Sequence, residues 1–260
     1  MTKALKKARE DERVKAVVLR VNSPGGSALT SDIIWREVVL TKEKKPLVVS
    51  MGDVAASGGY YIAAAADKIF AESTTITGSI GVFGTIPNIS GLADNIGVNA
   101  EQVGTNTNAV DYSFFEPMSD NFRASLKESI ATTYQTFLER VANGRNMTVE
   151  EVEQLAQGRV WTGEVAQKIG LVDEIGGLED AIAEAASLAG IENYSLRKLP
   201  RYKSDFERLM EDLSGASTEI RETAIEKELG AEAYGILKEI RATLNQKGIQ
   251  ARMPFSINVR

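Results

Sequence analysis

The sequence predicts an α/β fold built on a parallel sheet, with crossover helices and a C-terminal helical extension. Three observations point there. Short runs of strand length lie at Val14–Val21, Pro46–Met51 and Lys68–Ala71, the first two rich in valine. Helical stretches separate them, from about Leu29 to Lys45 and through an Ala-rich segment to Ala66. Strand, helix, strand, helix, strand at this spacing gives parallel pairing through right-handed crossovers. Third, the character changes at Pro200, beyond which charged helical segments follow.

Taken in order, Met1–Glu10 is charged and helical and lacks the apolar stretch of a signal peptide. Val14–Val21 stops at Asn22-Ser23-Pro24-Gly25-Gly26, residues that break a strand. Pro46–Met51 reads as a buried second strand. The Gly-rich region Thr77–Thr105 is expected to hold short strands at Ile80–Ile86 and Ala100–Val103 with a short helix between them. After Ser119, Phe122, Leu126, Ile130, Tyr134, Phe137 and Val141 recur every three or four residues, the stripe of an amphipathic helix. Asn143-Gly144 is expected to end it.

Thr148-Val149-Glu150-Glu151 carries a capping-box pattern. Trp161-Thr162-Gly163 introduces a helix ending at Gly170, and Val172–Gly177 precedes an Ala-rich helix to about Ala189. Charged helices are expected near 204–213, 217–229 and 231–246. Alternation over Pro254–Arg260 suggests a terminal strand. The chain therefore divides into a domain over 1–199 and a helical extension over 200–260.

Composition removes several function classes. The 36 acidic and 30 basic residues give a net charge of −6, which argues against nucleic acid as a partner. With neither cysteine nor histidine, disulfides and thiolate clusters are excluded and a zinc site is disfavoured, so no metal or other cofactor is expected. No run approaches the ~18 consecutive apolar residues of a membrane-spanning helix.

The segment Gly52-Asp53-Val54-Ala55-Ala56-Ser57-Gly58-Gly59-Tyr60-Tyr61 carries the chemistry. A serine among Ala and Gly, just past an apolar strand, is how a fold presents a hydroxyl at a strand-to-helix turn. Small neighbours let a substrate carbonyl approach closely. Ser57 is the candidate nucleophile, and the N–H of Gly58, at a helix N-terminus, is the candidate oxyanion donor. Without histidine the Ser-His-Asp arrangement is excluded, and a neutral lysine is the usual remaining base. The alternative is a small serine packed between strand and helix.

Asn22–Ser27 is a second strand-to-helix turn. Carboxyl ends of neighbouring parallel strands share an edge, so this turn should lie beside Ser57 and offer glycine N–H groups as a second oxyanion donor. Its alternative is a tight turn in which Pro24 fixes φ. Tyr60, Tyr61, Phe83 and Trp161 read as core or as a substrate wall. Phe114-Phe115 are the best candidates for an exposed apolar contact.

Together these residues resemble peptidase family S49, the signal peptide peptidase A proteases, on the ClpP/crotonase fold. The matching segments are V-L-R-V-N-S-P-G-G-S (18–27), P-L-V-V-S-M-G-D-V-A-A-S-G-G-Y-Y-I (46–62), A-D-K-I-F-A (66–71) and T-G-S-I-G-V-F-G (77–84). G-R-V-W-T-G (158–163) and G-L-V-D-E-I-G (170–176) also match. The resemblance implies Ser57 as nucleophile, Gly26 and Gly58 as oxyanion hole, and Ser79 as the residue that holds a lysine amine.

The lysine is where this chain departs. Short-form members carry it about where 103–110 stands; Thr107 is the equivalent position, and no lysine occurs between Lys68 and Lys127. Both of those lysines read as solvated surface residues. In the long form the C-terminal half provides serine and the N-terminal half provides lysine, so the chain is expected to be such a C-terminal half. Its closing A-R-M-P-F-S-I-N-V-R (251–260) is similar to that form.

The implied substrates are hydrophobic peptides such as released signal peptides. The implied partners are an N-terminal half or neighbouring subunit that supplies lysine, in a homo-oligomeric ring. Membrane association is implied, with the catalytic domain on the extracytoplasmic side and the anchor upstream. Two rivals remain: a half-domain that closes a ring without chemistry, and a crotonase-type acyl-CoA enzyme, for which Asp53 is the only nearby acid.

Overall fold

The computed structural model describes residues 1–106, 112–200 and 250–252. One compact unit, Ala4–Glu192 with Gln250–Arg252, holds a six-stranded sheet and a separate two-stranded ladder. After the N-terminal helix α1 (Thr2–Glu10), β1 (Val17–Ser23) leads through the short β2 (Gly25–Ser27) and α2 (Ala28–Lys42) to β3 (Leu47–Ala56). Helix α3 (Gly58–Ala63), β4 (Lys68–Ala71) and β5 (Ile76–Gly78) follow.

β3 is the central strand. It pairs in parallel with β1 from Val17↔Leu47 to Val21↔Met51. It is also parallel to β4 near its start, at Val48↔Lys68, and to β5 at its end, at Ala56↔Gly78. Leu47, Val49 and Met51 enter the main core, whereas Val48 meets Phe70, Ala181 and Ala185 in a second cluster on the other face. A strand covered on both faces needs an unbroken apolar run, which Leu47–Met51 supplies apart from Ser50. The buried Ser50 accepts a hydrogen bond from Arg20.

The register of β1 on β3 slips between Val21↔Met51 and Ser23↔Ala55, placing a bulge two residues long in β3. The Asn22 side chain fills it, its Oδ1 accepting from Val54 N–H at 3.2 Å. Gly52 is required here, because a Cβ would lie 2.7 Å from the Asn22 Cγ. The bulge sits a few residues before Ser57.

The second half of the unit supports the sheet. Helix α4 (Ser90–Asn95) precedes the long α5 (Asp120–Arg145), which Ser119 caps by accepting from Phe122 N–H. Then come α6 (Val149–Leu155), β6 (Val160–Thr162), α7 (Gly163–Lys168), β7 (Glu174–Ile175) and α8 (Leu178–Leu188). β6 is antiparallel to β5 and β7 parallel to β4. β8 (Gln250–Arg252) pairs antiparallel with β2.

The α/β class, the parallel centre and most elements follow the sequence. The Thr148–Glu151 capping box forms in full. Three expectations fail. Asn143-Gly144 does not end α5, which runs to Arg145 with Asn146 in the left-handed conformation as its cap. Gly144 serves packing instead: a Cβ there would lie 2.1 Å from the Ala64 carbonyl oxygen.

Ile80–Ile86 and Ala100–Val103 form no strands; β5 lies just upstream, at Ile76–Gly78. Pro87 and the glycines of this region weaken a ladder, and Val103 is 92% exposed, so no buried face organises the second segment. The helices expected over 204–246 and the strand over Pro254–Arg260 lie outside the described residues.

Candidate active site

Ser57 is the last residue before α3, directly after β3. Its φ of 52° and ψ of −116° are costly for a residue with a Cβ, a strained strand-to-helix turn. Two main-chain hydrogen bonds hold it there. Its N–H donates to Gly78 O at 2.8 Å, and its carbonyl accepts from Tyr61 N–H at 2.8 Å. The hydroxyl does not cap the helix; it donates to Gly81 O across a long 3.4 Å. The side chain is buried, so its environment is set by protein groups and not by water.

Ser79 mirrors it on the neighbouring strand. It follows β5 as Ser57 follows β3, holds a φ of 49°, and is buried. Its N–H donates to Arg159 O at 2.7 Å, tying it to the chain that enters β6. Its hydroxyl makes no hydrogen bond among the described residues and lines a cleft of about 550 Å³.

The two expected oxyanion glycines also meet. Gly58 opens α3 and Gly26 is the centre of β2. A Cβ on Gly58 would lie 3.2 Å from Gly26 N, 2.8 Å from Ala251 O and 2.5 Å from Ser31 Oγ. Only glycine fits at 58, and the crowding shows how closely the two loops approach. Backbone N–H groups that point where charge develops are usually the largest single aid to acyl transfer.

The cleft is lined by Gly81, Val82 and Phe83, by Ile130 and Tyr134 of α5, and by Gly158. The Tyr134 hydroxyl donates to Glu153 at 2.7 Å. Burial, and then that carboxylate, push the phenol up to about 12, so it stays protonated. The lining is largely apolar, with Gln157 and Lys127 as its long polar members.

The lysines divide. Lys68 donates to Glu174 and Glu184, and these hydrogen bonds raise its pKa, so it stays an ammonium and cannot serve as base. Lys127 is exposed, as its place on the polar side of the helix suggests, yet it lines the same cleft as Ser79. Helical periodicity misses this because the first half of α5 borders the cleft and not the core. Thr107 lies outside the described residues.

Tyr60 and Tyr61 are core residues: the Tyr60 hydroxyl donates to Leu171 O and that of Tyr61 to Asp32. Phe114 and Phe115 are exposed, as expected. Gly158 and Ala251 open the matching segments 158–163 and 251–260, but their sequence assigned them no place in the site; each reaches it through a partner distant in the chain.

The chain is also similar in sequence to known peptidases. The profile of peptidase family S49 matches residues 40–192. Protease 4 of Salmonella typhi is 38% identical over 239 residues, 92% of this chain and 38% of that protein. Serine protease SPPA, chloroplastic, of Arabidopsis thaliana is 39% identical over 250 residues, 96% of this chain and 36% of that protein. A putative signal peptide peptidase SppA of Enterococcus faecium is 41% identical over 179 residues, 68% of this chain and 52% of that protein. The chain spans little more than a third of the first two relatives.

Proposed function

Because the chain belongs to peptidase family S49, we propose that it is the serine-bearing part of an endopeptidase that hydrolyses hydrophobic peptides. The observation that carries this is the convergence of Ser57, Gly58 and Gly26 at one sheet edge, with Ser79 beside them. Ser57 Oγ attacks the peptide carbonyl carbon while a neutral lysine takes the hydroxyl proton. The N–H groups of Gly26 and Gly58 receive the developing oxyanion. The lysine then passes its proton to the leaving amine, and water releases the acyl group from Ser57.

The lysine comes from an N-terminal half or a neighbouring subunit, and the Ser79 hydroxyl holds its amine. A desolvated lysine beside a hydroxyl is lowered toward working pH, which an apolar cleft favours. An extended substrate adds beside residues 80–86, with small side chains preferred. The reading extends to released signal peptides, a ring assembly and a membrane-associated location outside the cytoplasm. Among the described residues no helix is long and apolar enough to cross a membrane.

One observation favours a second source of the base: Lys127 lines the cleft with Ser79. Cleavage of a fluorogenic signal-sequence peptide separates the two. The chain alone should be inactive, and adding a lysine-bearing half should restore cleavage that Ser57→Ala abolishes. Activity of the chain alone that is lost in Lys127→Met would assign the base to Lys127. Activity that survives Ser57→Ala would end the nucleophile assignment.

A further inference from the structure

The strand that carries Gly26 has one ladder partner among the described residues, and it comes from the far end of the chain. β2 pairs with β8 at Gly25↔Arg252, Gly26↔Ala251 and Ser27↔Gln250. Ala251 is 1% exposed, so this is a buried strand and not a loose tail. Its carbonyl oxygen and Gly26 N lie 2.8 Å and 3.2 Å from one point, the place a Cβ on Gly58 would take. Ala251 thus packs where the two candidate oxyanion donors meet.

Side-chain packing does not hold Gly26. A Cβ built on it would find nothing within 4 Å. A three-residue strand without a neighbour has little to fix its tilt, since isolated pairings are marginal even at full hairpin length. Gly25 before it is in the left-handed region, at φ 104°, which adds freedom that only surrounding contacts remove. The Ser23 hydroxyl, accepting from Gly25 N–H at 3.2 Å, restrains the residue before, and the main-chain ladder to β8 is the contact that reaches Gly26 itself.

We propose that Ala251 is a positioning residue for the oxyanion hole: β8 orients the Gly26 N–H against that of Gly58. The segment at 250–252 is then part of the catalytic apparatus without touching substrate. This rests on the reading of Ser57, Gly26 and Gly58 given above. A donor misplaced by even 1 Å loses much of its effect on the transition state while leaving ground-state binding nearly intact.

The test uses the active assembly, this chain together with its lysine-bearing half, and the fluorogenic peptide. Residues 250–260 are deleted, and separately Ala251→Pro is made, which keeps the chain length but locks φ and removes an N–H from the strand. Thermal unfolding accompanies both, so that Ala251→Pro decides where the deletion unfolds. The expected result is a fall in kcat of about 10²-fold, with KM little changed. A synthetic peptide of residues 248–260 added to the deletion variant should recover part of it.

Unchanged kcat in both variants would overturn the proposal. So would a rise in activity on deletion with inhibition by the added peptide, since the segment would then occupy the substrate's place. Ser57→Ala, run alongside, separates these outcomes from failure of the underlying site: a Ser57→Ala protein that still cleaves removes the site itself.

Discussion

Ser57 and Ser79 each stand one residue beyond a paired position, Ala56 and Gly78, and both hold a left-handed φ, 52° and 49°. Parallel pairing sets them at the same level on the carboxyl edge of the sheet. Each such conformation costs on the order of 1–3 kcal/mol at a residue with a Cβ. Two neighbouring outliers at one edge, each with its backbone N–H bonded to a neighbouring strand or its entry, are the pattern of a candidate site.

Ser79→Ala should therefore leave the fold intact while lowering kcat by about tenfold or more, if the hydroxyl holds the base. Its main-chain bond to Arg159 does not use the side chain. Steady-state kinetics with a melting curve checks this; an unchanged kcat would remove Ser79 from the site.

Two glycine-to-alanine changes should have opposite signs. In α5, Gly144→Ala gains about 1 kcal/mol of helix propensity, but its Cβ would lie 2.1 Å from Ala64 O, a main-chain atom. Overpacking of this kind costs about 1–3 kcal/mol, so the clash wins and the protein is destabilised. In α4, a Cβ on Gly91 meets nothing within 4 Å, and Gly91→Ala should stabilise by about 0.5 kcal/mol. Denaturant unfolding gives both values.

Arg145 is half-buried at the end of α5, where its guanidinium donates twice to Asp173, at 2.6 Å and 3.0 Å, and once to Gly170 O. Asp173 also accepts from Ile69 N–H of β4, so the pair fastens α5 to the sheet. Arg145→Ala leaves that carboxylate with the Ile69 N–H but without its cation, and should cost about 2 kcal/mol. Arg145→Lys should recover little, because lysine cannot make the two parallel bonds.

Glu151 gives a pH dependence with a definite sign. The Thr148 N–H and then its hydroxyl lower the Glu151 pKa below its ordinary value. A group with a depressed folded pKa stabilises the fold above its unfolded pKa and loses that contribution as pH falls through the folded one. The melting-temperature gap between the parent and Glu151→Ala should be present at neutral pH and shrink below about pH 4. A gap constant from pH 7 to pH 3 would contradict the capping-box account.

Local pattern made much of this legible. Lys68–Ala71 forms a strand with the bounds its sequence suggests, and the Ser57 turn follows from small residues after an apolar run. The features that escaped depend on partners remote in sequence. Gly144 reads as a helix stop because a glycine required by a neighbouring backbone looks the same as one required by a left-handed cap. Ile80–Ile86 has strand composition but no strand beside it to form a ladder. Lys127 is polar by helical position and faces a cleft that exists only once residues 79–83 and 157–158 are assembled. Ala251 joins the site through a pairing that no periodicity encodes.

The most direct test of the account is covalent labelling by a serine-reactive fluorophosphonate, followed by intact mass and peptide mapping. It is run on this chain with a lysine-bearing half, across pH 6 to 10, with Ser57→Ala as control. A single adduct on Ser57, absent from Ser57→Ala and increasing as the lysine loses its proton, is the predicted result. No adduct in the complete assembly, or an adduct that persists in Ser57→Ala, would contradict the assignment of Ser57 as nucleophile.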